Sequence, residues 1–193
     1  VKNVSFTGAK VLGNKQAAIV AGQAENATIS NVYVSGYVTG YDHVGTIVGD
    51  ARGDANVGAD GTTISNCVST AAAFSSNYQA GGIAGWTNLG VFKNNVAYGA
   101  VTAPGGGAAG ICSMIDNSGS ASFIGNVSAI PYAKGGNNRT SGILGWKNGS
   151  GCAIVEDDQN LSSEATQYFV GGNLTAAADI KFDENNDGIN GTV

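Results

Sequence analysis

The residues able to do chemistry are few and lie far apart along the chain. The only histidine, His43, follows Asp42 in a Gly-Tyr-Asp-His segment. Hydrolases that use a serine or cysteine nucleophile, and zinc enzymes, need a histidine beside a nucleophile or beside further ligands. No such motif can be assembled here, so we expect a chain that is not an enzyme and predict that His43 is a solvated loop residue.

Two acidic clusters keep a second kind of chemistry open. Asp50, Asp54 and Asp60 occupy one glycine-rich segment, and 156–158 reads Glu-Asp-Asp. Glycosidases need two carboxylates that face one cleft, so the clusters favour a carbohydrate-active β-helix as the alternative. Calcium ligands or solvated turn charges would also explain them. Asp50 is the preferred ligand-binding residue, because it directly follows a repeated apolar segment.

A third acidic segment near residue 185 resembles the beginning of a calcium loop. Asp183, Asn185 and Asp187 stand at alternate positions before Gly188, as the first oxygen ligands of such a loop do. The match then fails, because Ile189 comes one place early and no glutamate follows at the twelfth position. Calcium is therefore the one cofactor considered, and an acidic tail or cap over residues 176–193 is the alternative.

Composition excludes several classes of protein. Charged residues make up only 12% of the 193 residues, the net charge is −5, and 9 Lys and Arg are thinly spread. A nucleic-acid partner is not expected without a basic patch. No apolar run approaches the length of about 18 residues that a membrane span needs. The three cysteines do not form a disulfide framework and are expected to be buried as small apolar residues.

Two sets of residues recur roughly every 30 residues, and they stay in step. The first is asparagine followed by an apolar residue, at Asn3, Asn31, Asn66, Asn95, Asn126 and Asn160. The second is isoleucine within a run of small residues, at Ile19, Ile47, Ile83, Ile111 and Ile143. The separation between the two sets is nearly constant, so length varies mainly after the isoleucine, above all between residues 50 and 61.

This pattern predicts an all-β fold: a right-handed parallel β-solenoid of about six coils over residues 1–175. The segments between turns alternate and are rich in β-branched residues, as in Ile29–Val34. Parallel strands in neighbouring coils lie about 4.8 Å apart. An asparagine at the same turn of each coil could therefore bond to the next one, which predicts an asparagine ladder.

The position after each isoleucine motif gives the strongest indication of a ligand site. It is occupied by Gly22, Asp50, Trp86, Met114 and Trp146. Stacking places Trp86 and Trp146 on one line with Met114 between them. Facing outward, the line could bind a sugar or a protein; facing inward, it would be a core stack. Trp86, Trp146, Met114 and Asp50 are the predicted ligand-binding residues.

Several units resemble the GLUG repeat of bacterial surface proteins. The similarity is carried by Gly82-Ile83-Ala84-Gly85-Trp86, by the run 142–149 and by the unit that begins at Ile29. That repeat also occurs in IgA-specific metallopeptidases, outside the catalytic domain. The resemblance implies an extracellular or surface-attached bacterial protein in which the solenoid is a spacer or an adhesin, next to other domains of a longer chain. It implies no catalytic residues.

Three functions follow from these observations. The first is a structural or adhesive segment that binds a host glycan or a host protein. The second is the carbohydrate-active β-helix. The third is an ice-binding solenoid, which would need regular outward ranks of threonine, whereas Thr39, Thr70 and Thr102 occupy only roughly equivalent positions.

Overall fold

The fold is an all-β parallel solenoid. The structure is a computed structural model that describes residues 1–54, 56–57, 60–136, 139–158, 160–162, 167–170, 173–176, 181–182 and 191–192. No residue among these is helical. Accordingly, the described part of the chain contains no helix that could span a bilayer.

Five complete coils and the beginning of a sixth are formed by the described strands. Coil 1 contains Lys2–Leu12 and Ala21–Glu25, and coil 2 contains Thr28–Gly40, Val44–Gly45 and Val48–Arg52. Coil 3 contains Thr62–Ser65, Val68–Ser69, Ala72–Ser75, Ala80–Gly81 and the first part of Ala84–Lys93, which continues into coil 4. Coil 4 continues with Val96–Ala97, Val101–Ala103, Ala108–Ala109 and the first part of Cys112–Ile124, which enters coil 5.

Coil 5 continues with Val127–Ser128, Ala133–Gly135, Thr140–Ser141 and Leu144–Lys147. Coil 6 begins with Ala153–Asp158, Leu161–Ser162 and Gln167–Val170. The parallel order ends there, because Asn173–Ala176 pairs antiparallel with Gln167–Val170. Lys181–Phe182 and Gly191–Thr192 form a separate antiparallel pair.

The interior is made of apolar residues stacked coil on coil. Ile29 pairs with Ile64, Ile64 with Phe92, and Phe92 with Phe123. The two phenylalanine rings are stacked, with centroids 5.2 Å apart and an interplanar angle of 8°. The isoleucines at 47, 83, 111 and 143 are completely buried, as are most of the small residues around them. This continuous column of apolar contacts is what stabilises a solenoid, since each coil buries its inner face only against its neighbours.

The predicted asparagine ladder exists, but it is split between two adjacent columns. The outer column contains Asn3, Asn31, Asn66, Asn94 and Gly125, all at positive φ. The inner column contains Val4, Val32, Cys67, Asn95, Asn126 and Asn160. Placing Asn66 and Asn95 in a single column was therefore wrong by one residue, because Lys93 pairs with Ser65 and so puts Asn94 beside Asn66.

Each column uses asparagine for a different reason. The outer positions adopt the left-handed conformation that asparagine and glycine tolerate best, and Asn31 Nδ2 donates to Asn3 Oδ1 at 2.9 Å on the surface. The inner asparagines are completely buried. There, Asn95 Nδ2 donates to Asn126 Oδ1 at 3.0 Å, and Asn126 Nδ2 donates to Asn160 Oδ1 at 2.8 Å.

Candidate functional site

Two columns of residues face each other at one corner of the solenoid; we call them the corner columns. The first contains Gln16, His43, Gln79, Gly107 and Arg139. The second contains Gln23, Asp50, Trp86, Met114 and Trp146. Each residue of the first column lies seven positions before its opposite number. In coils 2 to 5 the buried isoleucine of the repeat lies between the two.

The second column contains four of the five residues predicted to lie on one line. The exception is in coil 1, where Gln23 occupies the position predicted for Gly22. The reason is a shift of one residue: Ala21 pairs with Val48, which places Val20 beside Ile47 in the position predicted for Ile19.

Asp50 is completely buried and is the centre of a polar network. His43 Nδ1 lies 2.6 Å from Asp50 Oδ1. The other carboxylate oxygen, Oδ2, accepts hydrogen bonds from Gln16 Nε2 at 2.7 Å and from Arg52 Nη2 at 2.7 Å. His43 lies in a turn outside the strands, as predicted. Its side chain is only 21% exposed and is held by Asp50, seven residues ahead, so the prediction that it is solvated was wrong.

The network sets the ionisation of Asp50. Burial alone would raise the pKa of this carboxyl. The hydrogen bond and charge attraction from His43, with the hydrogen bonds from Arg52 and Gln16, outweigh burial and hold the pKa of Asp50 below its ordinary value. The charged carboxylate is therefore the form that the folded protein favours.

Replacing Asp50 with asparagine should change how stability depends on pH. Because the folded-state pKa lies below the unfolded value, Asp50 stabilises the fold above about pH 4 and loses this effect as the pH falls through the folded pKa. We expect Asp50→Asn to lower the free energy of unfolding by about 2 kcal/mol at neutral pH, and by less in acid.

Urea unfolding at neutral and at acid pH measures this difference. The exposed Asp60 supplies the control, since Asp60→Asn should leave both the stability and its pH dependence nearly unchanged. If Asp50→Asn and the parent protein lost stability in parallel on acidification, the ionised network would not contribute as described.

Trp86 lies against this network and is only 7% exposed. Its ring stacks on the His43 imidazole, with centroids 5.5 Å apart and an interplanar angle of 12°. The Arg52 guanidinium carbon lies 5.0 Å from the Trp86 ring centroid. Met114, in the next coil, is 4% exposed, and its Sδ accepts a hydrogen bond from Gln79 Nε2 at 3.4 Å. The Trp86 ring is therefore packed inside the corner, which favours the core stack over an open platform.

Trp146 is the least buried member of the aromatic line. Its ring is half-buried, and the Arg139 guanidinium carbon lies 3.5 Å from the ring centroid. A guanidinium over a ring face is a favourable cation–π contact. A ligand that stacked on this face of Trp146 would have to displace Arg139.

The titratable side chains at this corner pair with one another. Both nitrogens of His43 face carboxylates, with Nε2 3.5 Å from Asp42 Oδ1. Within the described part of the chain, no three His, Cys, Asp or Glu side chains converge as metal ligands would. The three cysteines are free and buried as expected, and burial raises the pKa of Cys112 to about 12, so its thiol is a poor nucleophile.

Asp54 does not join the corner columns. Asp54 lies in the insertion that follows Arg52, where its Oδ1 accepts from the Asn56 backbone N–H at 2.9 Å. The side chains of 156–158 lie outside the described residues. So do Asp183, Asn185 and Asp187, and the predicted calcium loop stays a prediction.

The fold and the corner together define the class: an all-β parallel β-solenoid. A search of solved structures found a likeness to the crystal structure of a proposed immunoglobulin A1 protease from Bacteroides ovatus, with a TM-score of 0.77 and 24% sequence identity. The match covers 99% of this chain and 58% of that one. No family model matches the chain, and no curated protein matches it. At this identity the likeness establishes the fold.

Proposed function

We propose that this chain is a non-catalytic structural segment of an extracellular or surface-attached bacterial protein, and that it contacts a host glycan or a host protein. One observation carries the non-catalytic part. Both oxygens of the buried Asp50 are occupied by Gln16, His43 and Arg52. The only histidine could not act as a base on an external molecule without breaking that network.

The fold likeness supports the extracellular setting. The matched protein is described as a proposed immunoglobulin A1 protease, and this chain corresponds to little more than half of its length. In a protein of that kind, a rigid solenoid would hold another domain at a set distance or contact the immunoglobulin itself. The resemblance to surface-protein repeats points the same way.

The ice-binding alternative loses its support from the pairing of the coils. Thr39 pairs with Phe74, and Phe74 pairs with Thr102. Thr70 belongs to another position, where its Oγ1 lies 3.1 Å from the hydroxyl of Tyr33. An uninterrupted rank of threonines is therefore not formed by these three residues.

Incubation of the purified chain with immunoglobulin A1 and, separately, with acidic polysaccharides tests the proposal. We expect both to stay intact, as judged by mass spectrometry for the protein and by chain length and unsaturated ends for the polysaccharides. Surface-immobilised chain should nevertheless retain immunoglobulin A1 or a glycan from an array. Cleavage that disappears in a His43→Gln variant would contradict the non-catalytic assignment and favour the carbohydrate-active or protease alternative.

A further inference from the structure

A polar groove lies at the corner where each coil passes into the next. Its volume is about 480 Å³, within the range of small-ligand sites. The described residues that line it are Gly53, Asp54, Asn56, Asn88, Leu89, Ser118 and Ser120. None of these belongs to the corner columns, so the groove is separate from the Asp50 network.

Unequal turn lengths in three successive coils create the groove. In coil 3 the corner is tight: a single residue, Asn88, separates Thr87 and Leu89, the positions that pair with the next coil on either side of the corner. At the same corner, coil 2 makes its large insertion after Arg52, and coil 4 inserts Asp116–Gly119, because Thr87 pairs with Ile115 but Leu89 pairs with Ser120. The tight turn of coil 3 is therefore the floor, and the walls are formed by Gly53, Asp54 and Asn56 on one side and by Ser118 and Ser120 on the other.

Hydrogen bonds hold the wall from coil 2 in place. Asn88 Oδ1 accepts from the Gly53 backbone N–H at 3.0 Å, and Asn88 Nδ2 donates to the Gly53 carbonyl at 3.1 Å. The Asp54 N–H donates to Asn26 Oδ1 at 3.1 Å. Gly53 and Asp54 are thus positioned before any ligand arrives, which lowers the entropic cost of binding.

Leu89 gives the floor of the groove an apolar side chain. Leu89 is half-buried and packs closely against Gly53 and Gly61. Gly61 has φ of +63°, and a Cβ there would lie 2.7 Å from Leu89 Cγ. Any side chain at position 61 would displace Leu89, so Gly61 is needed for Leu89 to lie at the floor of the groove.

Several polar atoms at the rim are not used by the fold. The hydroxyls of Ser118 and Ser120 make no hydrogen bond to another described residue. Ser118 is exposed and has φ of +64°. Asp54 uses Oδ1 to hold Asn56, which leaves its second carboxylate oxygen available to accept.

We propose that this groove binds a neutral oligosaccharide; the inference rests on the adhesive part of the proposed function and gives it a location. An apolar floor fits the C–H face of a sugar ring, while hydroxyls, amides and a carboxylate oxygen pair with sugar hydroxyls. Asp54 and the net charge of −5 disfavour an acidic saccharide. Among the described residues that line the groove, Asp54 has the one carboxylate, so a divalent cation alone is not the ligand that they fit.

Titration of the ¹⁵N-labelled chain with cellotetraose, maltotetraose and chitotetraose, followed by NMR, tests the groove. We expect at least one of these neutral probes to shift the amide signals of Asn88, Leu89 and Ser120. A double variant, Ser118→Gly with Ser120→Ala, should bind the same probe roughly tenfold more weakly. Glycine keeps the positive φ at position 118, and Thr102→Ala, on another face, is the matched control.

Three outcomes would overturn the proposal. They are no shifts with any neutral probe at millimolar concentration, shifts confined to another face, or equal shifts with tetragalacturonate or with calcium chloride alone. Cleavage of immunoglobulin A1 or of a polysaccharide in the incubation described above would overturn the non-catalytic function, but it would not contradict binding in the groove. If the folded chain caused no cleavage and no probe bound in the groove, the groove would be ruled out as the ligand site, and the non-catalytic function would stand.

Discussion

Replacing Asn126 with alanine is expected to lower the free energy of unfolding by about 4 kcal/mol. Asn126 Nδ2 donates to the Phe92 carbonyl at 2.9 Å and to Asn160 Oδ1, while its Oδ1 accepts from the backbone N–H and the Nδ2 of Asn95. The site is completely buried. Alanine would remove all four of these hydrogen bonds from a site that water cannot reach, and unfolding in urea followed by circular dichroism measures the loss.

Asn31 provides the matched control for Asn126. It lies in the outer column, is exposed, has φ of 54°, and makes one side-chain bond to Asn3. Asn31→Gly keeps the left-handed backbone and removes only that bond, so it should cost less than about 1 kcal/mol. Equal losses in the two variants would contradict the assignment of separate structural and conformational roles to the two columns.

Replacing Trp86 with alanine is expected to lower the free energy of unfolding by about 3–5 kcal/mol, the usual cost of removing a large buried aromatic side chain. The change opens a cavity between coils 2 and 4. It also removes the ring against which His43 and Arg52 pack, so the Asp50 network loses its support. Thermal and urea unfolding both measure the effect.

Trp146 is the comparison residue for Trp86. Its ring is half-buried and covered by Arg139, so Trp146→Ala should cost clearly less, about 1–2 kcal/mol. A small loss of stability for Trp86→Ala, together with loss of ligand binding, would indicate an open platform in place of a packed corner.

The parallel solenoid could be predicted from sequence because its signal is repeated once per coil. The exact column of each asparagine could not, and the reason lies at Asn94 and Asn95. Two adjacent asparagines fit either the left-handed turn or the buried ladder, and Gly125 replaces asparagine at the turn of the next coil. Only the pairing of Lys93 with Ser65 decides between them.

The two corner columns illustrate a similar limit. Asp50, Trp86, Met114 and Trp146 could be aligned because each follows the same isoleucine motif. The column that faces them could not be predicted, since no one residue type is common to its members Gln16, His43, Gln79, Gly107 and Arg139. A constant step of seven positions from each to its opposite number was the available signal, as between His43 and Asp50.

The groove depends on differences between neighbouring coils. The insertion after Arg52 is visible in the sequence as the longest interval between repeats. The groove also requires a short turn in coil 3 and a long turn in coil 4 at the same corner. That requires the register of three coils at once, which a single sequence pattern does not supply.

Acrylamide quenching of tryptophan fluorescence in a Trp146→Phe protein tests most directly whether the aromatic line is a packed part of the fold. Trp86 is then the only tryptophan, since the chain has two. We predict weak quenching in the native protein, rising to that of free tryptophan on unfolding in urea. Native quenching as strong as that of the unfolded chain would mean that Trp86 faces solvent, and would contradict a structural role for the corner columns.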